Sequence, residues 1–389
     1  MLRLVHTADV HLGARHADLG EQASAQRERQ FEAFRRSVDL ALEERVDLFL
    51  VAGDLFDSNT QPRRSVERVA AELRRLAQAA IRTVIIPGTH DVYDRSSIYR
   101  AYDIAALAGV PPVGDMLVVL TPDRPEVVLP TLDAVIFARV FATKRAPESP
   151  LRGLDVREEA RATWRIGMIH GALSIPGMTD GDDVVIDAEE IAASGLDYLA
   201  LGHWHSTLTA RAGDVQYAYA GAPEPVAVDQ DRAGNVLLVT MDVAAGRRSV
   251  TVQERRVGRT RFERADVDAA DVATQAAFVE RLLQRADPDL VLDVRLTGVR
   301  PDELDLDVDE VETALAAAFL KVRIHDVAVP ALSSGPLPPP DTISGAFIRD
   351  VEGRLADLEA VEQESEEARE LRDVLRVGRL LLAGQEVTL

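Results

Sequence analysis

One recurring pattern limits what this chain can become. Residues 48–52, Leu-Phe-Leu-Val-Ala, are apolar without a break and run into Gly53-Asp54. Such a run, stopped by a turn signal, reads as a strand buried on both faces of a parallel sheet. Asp54 then falls just past the strand's C-terminal end, where open α/β sheets place their ligands. Four other stretches behave alike. Residues 2–8 lead to Asp9-Val10-His11, residues 83–87 to Gly88-Thr89-His90-Asp91, residues 166–169 to His170-Gly171, and residues 198–201 to Gly202-His203-Trp204-His205. Five strand ends therefore carry Asp, His or both, and Asp54 is the natural centre of the set.

The intervening sequence supplies helices. Residues 21–45 repeat Phe31, Phe34, Val38 and Leu42 on one face; residues 62–80, entered through Pro62, do so with Val66, Val69, Leu73 and Leu76. With a further helix near 96–108 this makes a βαβαβ opening, which is right-handed. From 112 to 142 short apolar runs alternate with Pro, Gly and Asp, the pattern of strands joined by turns. Residues 173–186 read as a surface loop, 187–194 as a short helix and 207–257 as antiparallel strands. The expectation is an α/β fold, a four-layer α/β/β/α sandwich over 1–260. A small α+β domain follows over 266–330, with helices at 270–285 and 308–320 and strands at 290–298 and 321–328. The run Ser333-Ser334-Gly335-Pro336-Leu337-Pro338-Pro339-Pro340 marks a stiff linker over 331–343. Residues 344–386 predict a helical tail. Its apolar positions are Leu355, Leu358 and Val361, then Leu371, Val374, Leu375, Leu380 and Leu381, on either side of acidic residues 362–370.

Composition narrows the class. A chain of 389 residues suggests two or three domains. There is no cysteine, so disulfides and zinc-thiolate sites are excluded. No apolar run is long enough to span a membrane, and the first residues enter a strand at once rather than a leader pattern, so a cytoplasmic protein is expected. The net charge is −21, of which 1–265 carry −6 and 266–389 carry −15. Bulk charge on this scale opposes nucleic-acid binding. Any such contact must be local, with bound cations offsetting the acids. Of the 44 basic residues 42 are Arg, a bias read as base composition of the gene.

Aspartate and histidine on rigid strand ends suit two adjacent divalent cations, with manganese, iron and zinc all compatible. Such a pair, about 3.5–4 Å apart, can clamp a phosphate ester, and a carboxylate shared between them belongs to the arrangement. Asp54 is the candidate. The order D-x-H, G-D, G-x-H-D, H-G, G-H-x-H resembles that of the calcineurin-like metallophosphoesterases. More narrowly, His6-Thr7-Ala8-Asp9-Val10-His11-Leu12-Gly13 and Val51-Ala52-Gly53-Asp54-Leu55-Phe56-Asp57-Ser58 resemble the SbcD-type DNA double-strand-break repair nucleases. The resemblance spans about residues 1–240; beyond that it rests on domain order and length.

The resemblance implies that Asp9, His11, Asp54 and His205 hold one metal, and that Asp54, Thr89, His170 and His203 hold the other, with manganese the expected ion. It implies that His90 is the catalytic histidine and that Asp91 orients it. It also implies a DNA exonuclease and endonuclease subunit, a homodimer through helices of the first domain, and an SbcC-type coiled-coil ATPase bound by the C-terminal helices. One position departs from the family: Thr89 stands where asparagine is usual. A hydroxyl reaches less far than an amide oxygen, so a weaker second metal is expected. Two other classes stay open, a phosphoesterase of small nucleotides and a binding subunit that has lost catalysis at Thr89.

The remaining candidates read as structural. His6 faces away from Thr7 on its strand, His16 lies in a loop and His325 in the small domain. Asp57 either shapes the metal loop or caps a turn. Arg63, Arg64, Arg95 and Arg100 read as solvated faces before they read as phosphate contacts, and Trp204 as a core residue.

Overall fold

The computed structural model describes residues 1–111, 114–146, 148–156, 162–174, 184–225, 230, 232–301, 304–330, 338–359 and 366–384. The larger part of the expected linker, the centre of the 173–186 loop and residues 360–365 of the acidic stretch lie outside the described residues. The chain forms two compact units, Met1–Thr260 and Arg261–Leu389.

The first unit opens with β1 (Leu2–Thr7), α1 (Ala23–Glu43), β2 (Leu48–Ala52), α2 (Arg63–Gln78) and β3 (Arg82–Ile86), then two short helices, α3 (Ile98–Ala101) and α4 (Ile104–Leu107). Strands β4 (Leu117–Val119), β5 (Glu126–Leu129), β6 (Ala134–Ala138), β7 (Trp164–His170), β8 (Ala172–Leu173) and β9 (Val185–Ile186) follow. Then come α5 (Ala188–Ala193), β10 (Tyr198–Gly202), β11 (Leu208–Ala212), β12 (Val215–Tyr219), β13 (Asn235–Ala244) and β14 (Arg247–Arg256).

Among the described residues there are two six-stranded sheets, ordered β14-β13-β1-β2-β3-β4 and β11-β12-β10-β7-β6-β5. The centre of each is parallel: β1, β2, β3 and β4 in the first, β6, β7, β10 and β12 in the second. The continuous apolar runs are explained by what covers them. One face of the first sheet, with Leu4, Leu48, Leu50, Val84 and Ile86, packs on Ile136, Ile166, Met168, Tyr198 and Ala200 of the second. The other face, with Val5, Phe49, Val51 and Ile85, receives Phe34 and Val38 of α1 and Val66, Val69 and Leu73 of α2. The outer face of the second sheet, with Ile169, Leu199 and Leu201, packs on Ile191 of α5. These are the four layers, and each buried Leu, Ile, Val or Phe contributes about 1.5–3 kcal/mol.

One expected element is corrected. The helix near 96–108 is two pieces, because Tyr102 takes an extended backbone (φ −131, ψ 126). Asp103 then restarts the helix by accepting from Ala106 N at 3.0 Å. A side chain that satisfies a free amide at a helix start favours a break there.

The second unit holds β15 (Arg261–Asp268), α6 (Gln275–Leu283), β16 (Asp287–Thr297), β17 (Val299–Arg300), α7 (Val308–Leu315), β18 (Phe319–Asp326), β19 (Val329–Pro330), α8 (Ile343–Glu359) and α9 (Glu366–Leu382). β15, β16 and β18 form a parallel sheet. Its face of Val267, Leu292, Val294, Leu296, Val322 and Ile324 packs on Phe278 and Leu282 of α6 and Val311 and Leu315 of α7. Helix α6 starts later than the sequence pattern suggested, where Thr274 caps it by accepting from Ala277 N at 3.2 Å. The tail helices pack on each other. Gly378 is a notch for Phe347: a Cβ there would lie 2.2 Å from the ring. Val374, Leu381 and Leu382 of α9 remain exposed. Among the described residues no helix is long and apolar enough to cross a membrane.

Candidate metal centre

Adjacent parallel strands end on the same edge of a sheet, so the chain's topology alone gathers the candidates. Asp9 and His11 follow β1, Asp54 follows β2, and Thr89, His90 and Asp91 follow β3. His170 ends β7, while His203 and His205 follow β10, its neighbour. Hydrogen bonds tie the loops of this edge to one another. Asp9 N donates to Gly53 O at 3.1 Å and His11 N to Asp54 O at 3.0 Å. His203 N, from the opposite sheet, donates to the Asp9 carboxylate at 3.0 and 3.1 Å.

The loops bend sharply. Asp9, His11, Asp54 and His203 all have positive φ, at 51, 49, 50 and 106°. Non-glycine residues held so cost about 1–3 kcal/mol each and cluster where function needs the geometry. The motif glycines are explained by crowding. A Cβ on Gly53, itself at φ +94, would lie 2.2 Å from His170 Nδ1, and one on Gly88 would lie 2.3 Å from Asp54 Oδ1.

Asp54 sits at the middle. Its Oδ1 accepts from His90 N at 2.7 Å. Its Oδ2 lies 3.2 Å from His170 Nε2 and 3.9 Å from His11 Nε2. His11 Nε2 in turn lies 3.1 Å from His205 Nε2. Among the described residues three clusters have a cation's ligand spacing, Asp9/His11/His205, Asp9/Asp54/His170 and, further out, His11/Asp57/His90. The outer nitrogens are tied down: His170 Nδ1 lies 3.0 Å from Ala52 O, and His11 Nδ1 3.4 Å from the Asp57 carboxylate. A metal-binding imidazole donates its second nitrogen to such an acceptor and turns the first, bearing its lone pair, toward the ion. His170 Nε2 is buried and makes no well-directed hydrogen bond, so it is an orphaned polar atom of the kind an ion satisfies. The donor set fits divalent cations.

The electrostatics agree. Burial pushes Asp9 up to about 7, helped by the Asp54 charge and resisted by His170. Burial also opposes ionisation of Asp54, but the neighbouring charge of His170 outweighs it and holds Asp54 below the usual carboxylate range. His170 rises to about 10: burial alone would lower it, and the Asp54 charge reverses that. His205 falls to about 3 through burial and the neighbouring His11. Buried acids here rely on a protonated imidazole for positive charge, the role a cation fills.

Two expected positions are less direct. Thr89 Oγ1 lies 3.4 Å from Asp54 Oδ2, donating to it. The His203 ring stands edge-on to His170, 5.4 Å between centroids, and is outside these three clusters.

His90 is half-exposed, edge-on to His11 at 4.6 Å, with Nδ1 3.0 Å from Asp57 O. The expected role of Asp91 is corrected. Asp91 is buried and does not hold the His90 ring: its oxygens accept from Gly88 N (2.7 Å), Phe56 N (3.2 Å) and the Tyr99 hydroxyl (2.6 Å). It braces the two loops that carry Asp54 and His90. Loop amides compete successfully for a carboxylate one residue from the imidazole. Asp57 faces His90 instead, and it also faces His11, which keeps its carboxyl below the ordinary value. Its position three residues after Asp54 was the available signal, and it did not separate this role from turn capping. Gln230, 2.6 Å from His205 Nδ1, was missed altogether; it lies 25 residues downstream of His205 in no pattern.

The other candidates fall elsewhere. His6 lies between the sheets, against the Tyr198 hydroxyl at 2.9 Å. Trp204 stacks on Tyr219 at 4.7 Å. Arg63 pairs with Glu67 at 2.8 Å, and Arg100 lies over the Tyr93 ring. Arg64 joins Arg27, Arg68, Ser24 and Ser65 around a pocket of about 200 Å³ beside Leu12 and Gly13. His325 pairs with Asp293 in the second unit.

A model of the calcineurin-like phosphoesterase family matches residues 2–207. The chain is similar to the DNA double-strand break repair protein Mre11 of Aeropyrum pernix, at 29% identity over 296 residues, 73% of this chain and 68% of that protein. It is similar to the protein of the same name from Halobacterium salinarum, at 26% identity over 319 residues, 78% of this chain and 74% of that one. Among solved structures, TT1561 of Thermus thermophilus covers 66% of this chain and 99% of its own, with 13% identity and a TM-score of 0.42.

Proposed function

Because the chain belongs to the calcineurin-like phosphoesterase family, we propose that it is a metal-dependent DNA nuclease, an SbcD-type subunit hydrolysing phosphodiester bonds in DNA double-strand-break repair. The observation that carries the reading is the convergence of strand ends from both sheets on Asp54, with the Nε2 atoms of His11 and His170 turned toward it. Relatives named for DNA double-strand break repair along most of the chain support DNA as the substrate.

Asp9, His11, Asp54 and His205 would hold one divalent cation, and Asp54, Thr89, His170 and His203 a second, manganese first among the candidates. Bound there, the pair supplies Lewis-acid charge to the scissile phosphate. The chain's own groups do the rest. As a general acid, His90 would keep Nδ1–H on Asp57 O and give a proton from Nε2 to the leaving oxygen. Asp57 holds that ring, and Asp91 keeps the loops of Asp54 and His90 in register. Arg27 and Arg64, beside the loop of His11 at a pocket where Arg68 is paired with Glu28, are suited to backbone phosphates in a chain whose overall charge repels them. The exposed apolar side chains of α9 suit the coiled-coil base of a partner ATPase, and the family resemblance implies a second copy of the chain against helices of the first unit.

The test is cleavage of linear and hairpin DNA at saturating manganese, wild type against His90→Ala. Cleavage that His90→Ala reduces at least 100-fold is expected, within the roughly 10²–10⁴-fold span of general acid catalysis. Turnover of a small chromogenic diester without DNA cleavage would replace the reading with a small-nucleotide phosphodiesterase. The proton that Thr89 directs at Asp54 favours a second reading, a binding subunit with weakened catalysis. DNA binding without cleavage would select it.

A further inference from the structure

His205 makes one contact that none of the motifs explains. Its Nδ1 lies 2.6 Å from Gln230 Nε2, in the crossover from β12 of one sheet to β13 of the other. We propose that Gln230 is a positioning residue that sets the tautomer of His205: its amide oxygen accepts the Nδ1 proton and leaves Nε2 with the lone pair a cation needs. The inference rests on His205 being a metal ligand.

A neutral imidazole carries one proton, and the hydrogen bond at one nitrogen decides which nitrogen keeps the lone pair. His170 and His11 have acceptors at Nδ1 that cannot be anything else, a backbone carbonyl and a carboxylate. An amide is different, since it offers either an oxygen or an NH₂. With NH₂ toward His205, the ring proton would move to Nε2. It would then be used on His11 Nε2, 3.1 Å away, closing the space between the two rings to any ion. With the oxygen toward His205, both Nε2 atoms face one another with lone pairs, an arrangement that a cation relieves. At 2.6 Å the contact is too close for two nitrogens sharing a proton, so the amide is assigned the opposite way, with Oε1 toward the ring as a short acceptor.

The turn that presents Gln230 is built for precision. Ala233 N donates to Gln230 O at 3.1 Å. Thr207, two residues after His205 and buried, donates to Arg232 O at 2.9 Å, and Asn235 Nδ2 reaches the same oxygen at 3.1 Å. His205 O accepts from Ala222 N at 2.8 Å. The imidazole and its partner are thus pinned to the same short piece of backbone.

The experiment is a manganese titration of the full chain by calorimetry for wild type, Gln230→Glu, Gln230→Ala and Gln230→Lys. Glutamate can only accept, and should bind at least as tightly as wild type. Alanine should weaken one site by about 10–100-fold, the usual effect of losing such a partner. Lysine, a donor alone, should weaken it no less. Wild-type binding by Gln230→Lys, or equal losses in Gln230→Glu and Gln230→Ala, overturns the proposal. Two-bond proton–nitrogen correlation of ¹⁵N-histidine-labelled, metal-free protein gives a second readout. The proton of His205 on Nδ1 supports the inference and on Nε2 overturns it. Neither readout uses DNA, so a protein that shows the expected pattern but cuts no DNA would refute the nuclease reading alone.

Discussion

Lowering the pH from 7 to 5 should destabilise the first unit by about 2 kcal/mol through His6 alone. The ring lies wholly inside the sandwich, against the Tyr198 hydroxyl at 2.9 Å. Burial lowers its pKa from 6.5 to about 3, and the Leu201 backbone offsets only part of that. The unfolded chain therefore takes up a proton near pH 6.5, while the folded chain refuses it until about pH 3. Across that window protons bind the unfolded state, and stability falls as pH falls. Each unit is about 1.4 kcal/mol, so the roughly 1.5 units between the unfolded pKa and pH 5 give about 2 kcal/mol. The figure depends on the unfolded value alone, since the folded one lies below the range tested. Both tryptophans, Trp164 and Trp204, belong to the first unit, so their fluorescence in urea follows that unit. The comparison is a double variant, His6→Leu with Tyr198→Phe, which removes both polar partners together. With chelator present throughout, wild type should lose about 2 kcal/mol more than the variant between pH 7 and 5. Equal losses would refute the reasoning.

Three further outcomes are expected. Thr89→Asn should raise manganese occupancy toward two ions per chain at sub-saturating metal, measured by equilibrium dialysis, and raise turnover with it; no change in either rejects the account of Thr89. Gly53→Ala should cost about 1–3 kcal/mol in urea unfolding and displace His170, since the added methyl meets its ring; full metal binding in this variant would show that the crowding is relieved cheaply. Ending the chain after residue 340 should abolish pull-down of a coiled-coil ATPase partner while manganese binding is kept, and retained association would remove the tail from the interface.

Much of the architecture was legible because both sheets are buried on two sides. Runs such as residues 48–52 and 198–201 can be little else than central strands, and their polar ends then mark one edge. The break at Tyr102 was not legible, since Asp103 suits a helix interior poorly but a helix start well, and only the structure shows which applies. The roles of Asp57 and Asp91 were exchanged for a related reason. Both lie next to His90 in space or sequence, and which one faces the ring depends on where the amides of Gly88 and Phe56 point. Gln230 was invisible because its meaning comes entirely from a crossover between sheets.

That the gathered side chains come from both sheets has a mechanical corollary. Asp54 and His11 ride on the first sheet, His170 and His205 on the second, and the layer of Leu50, Ile86, Met168 and Ala200 keeps the sheets at their spacing. Side-chain volume in that layer works as a spacer for the site above it. Trimming Met168, itself no candidate ligand, would therefore be felt as a change in the spacing of Asp54 and His170 before it was felt as a loss of fold.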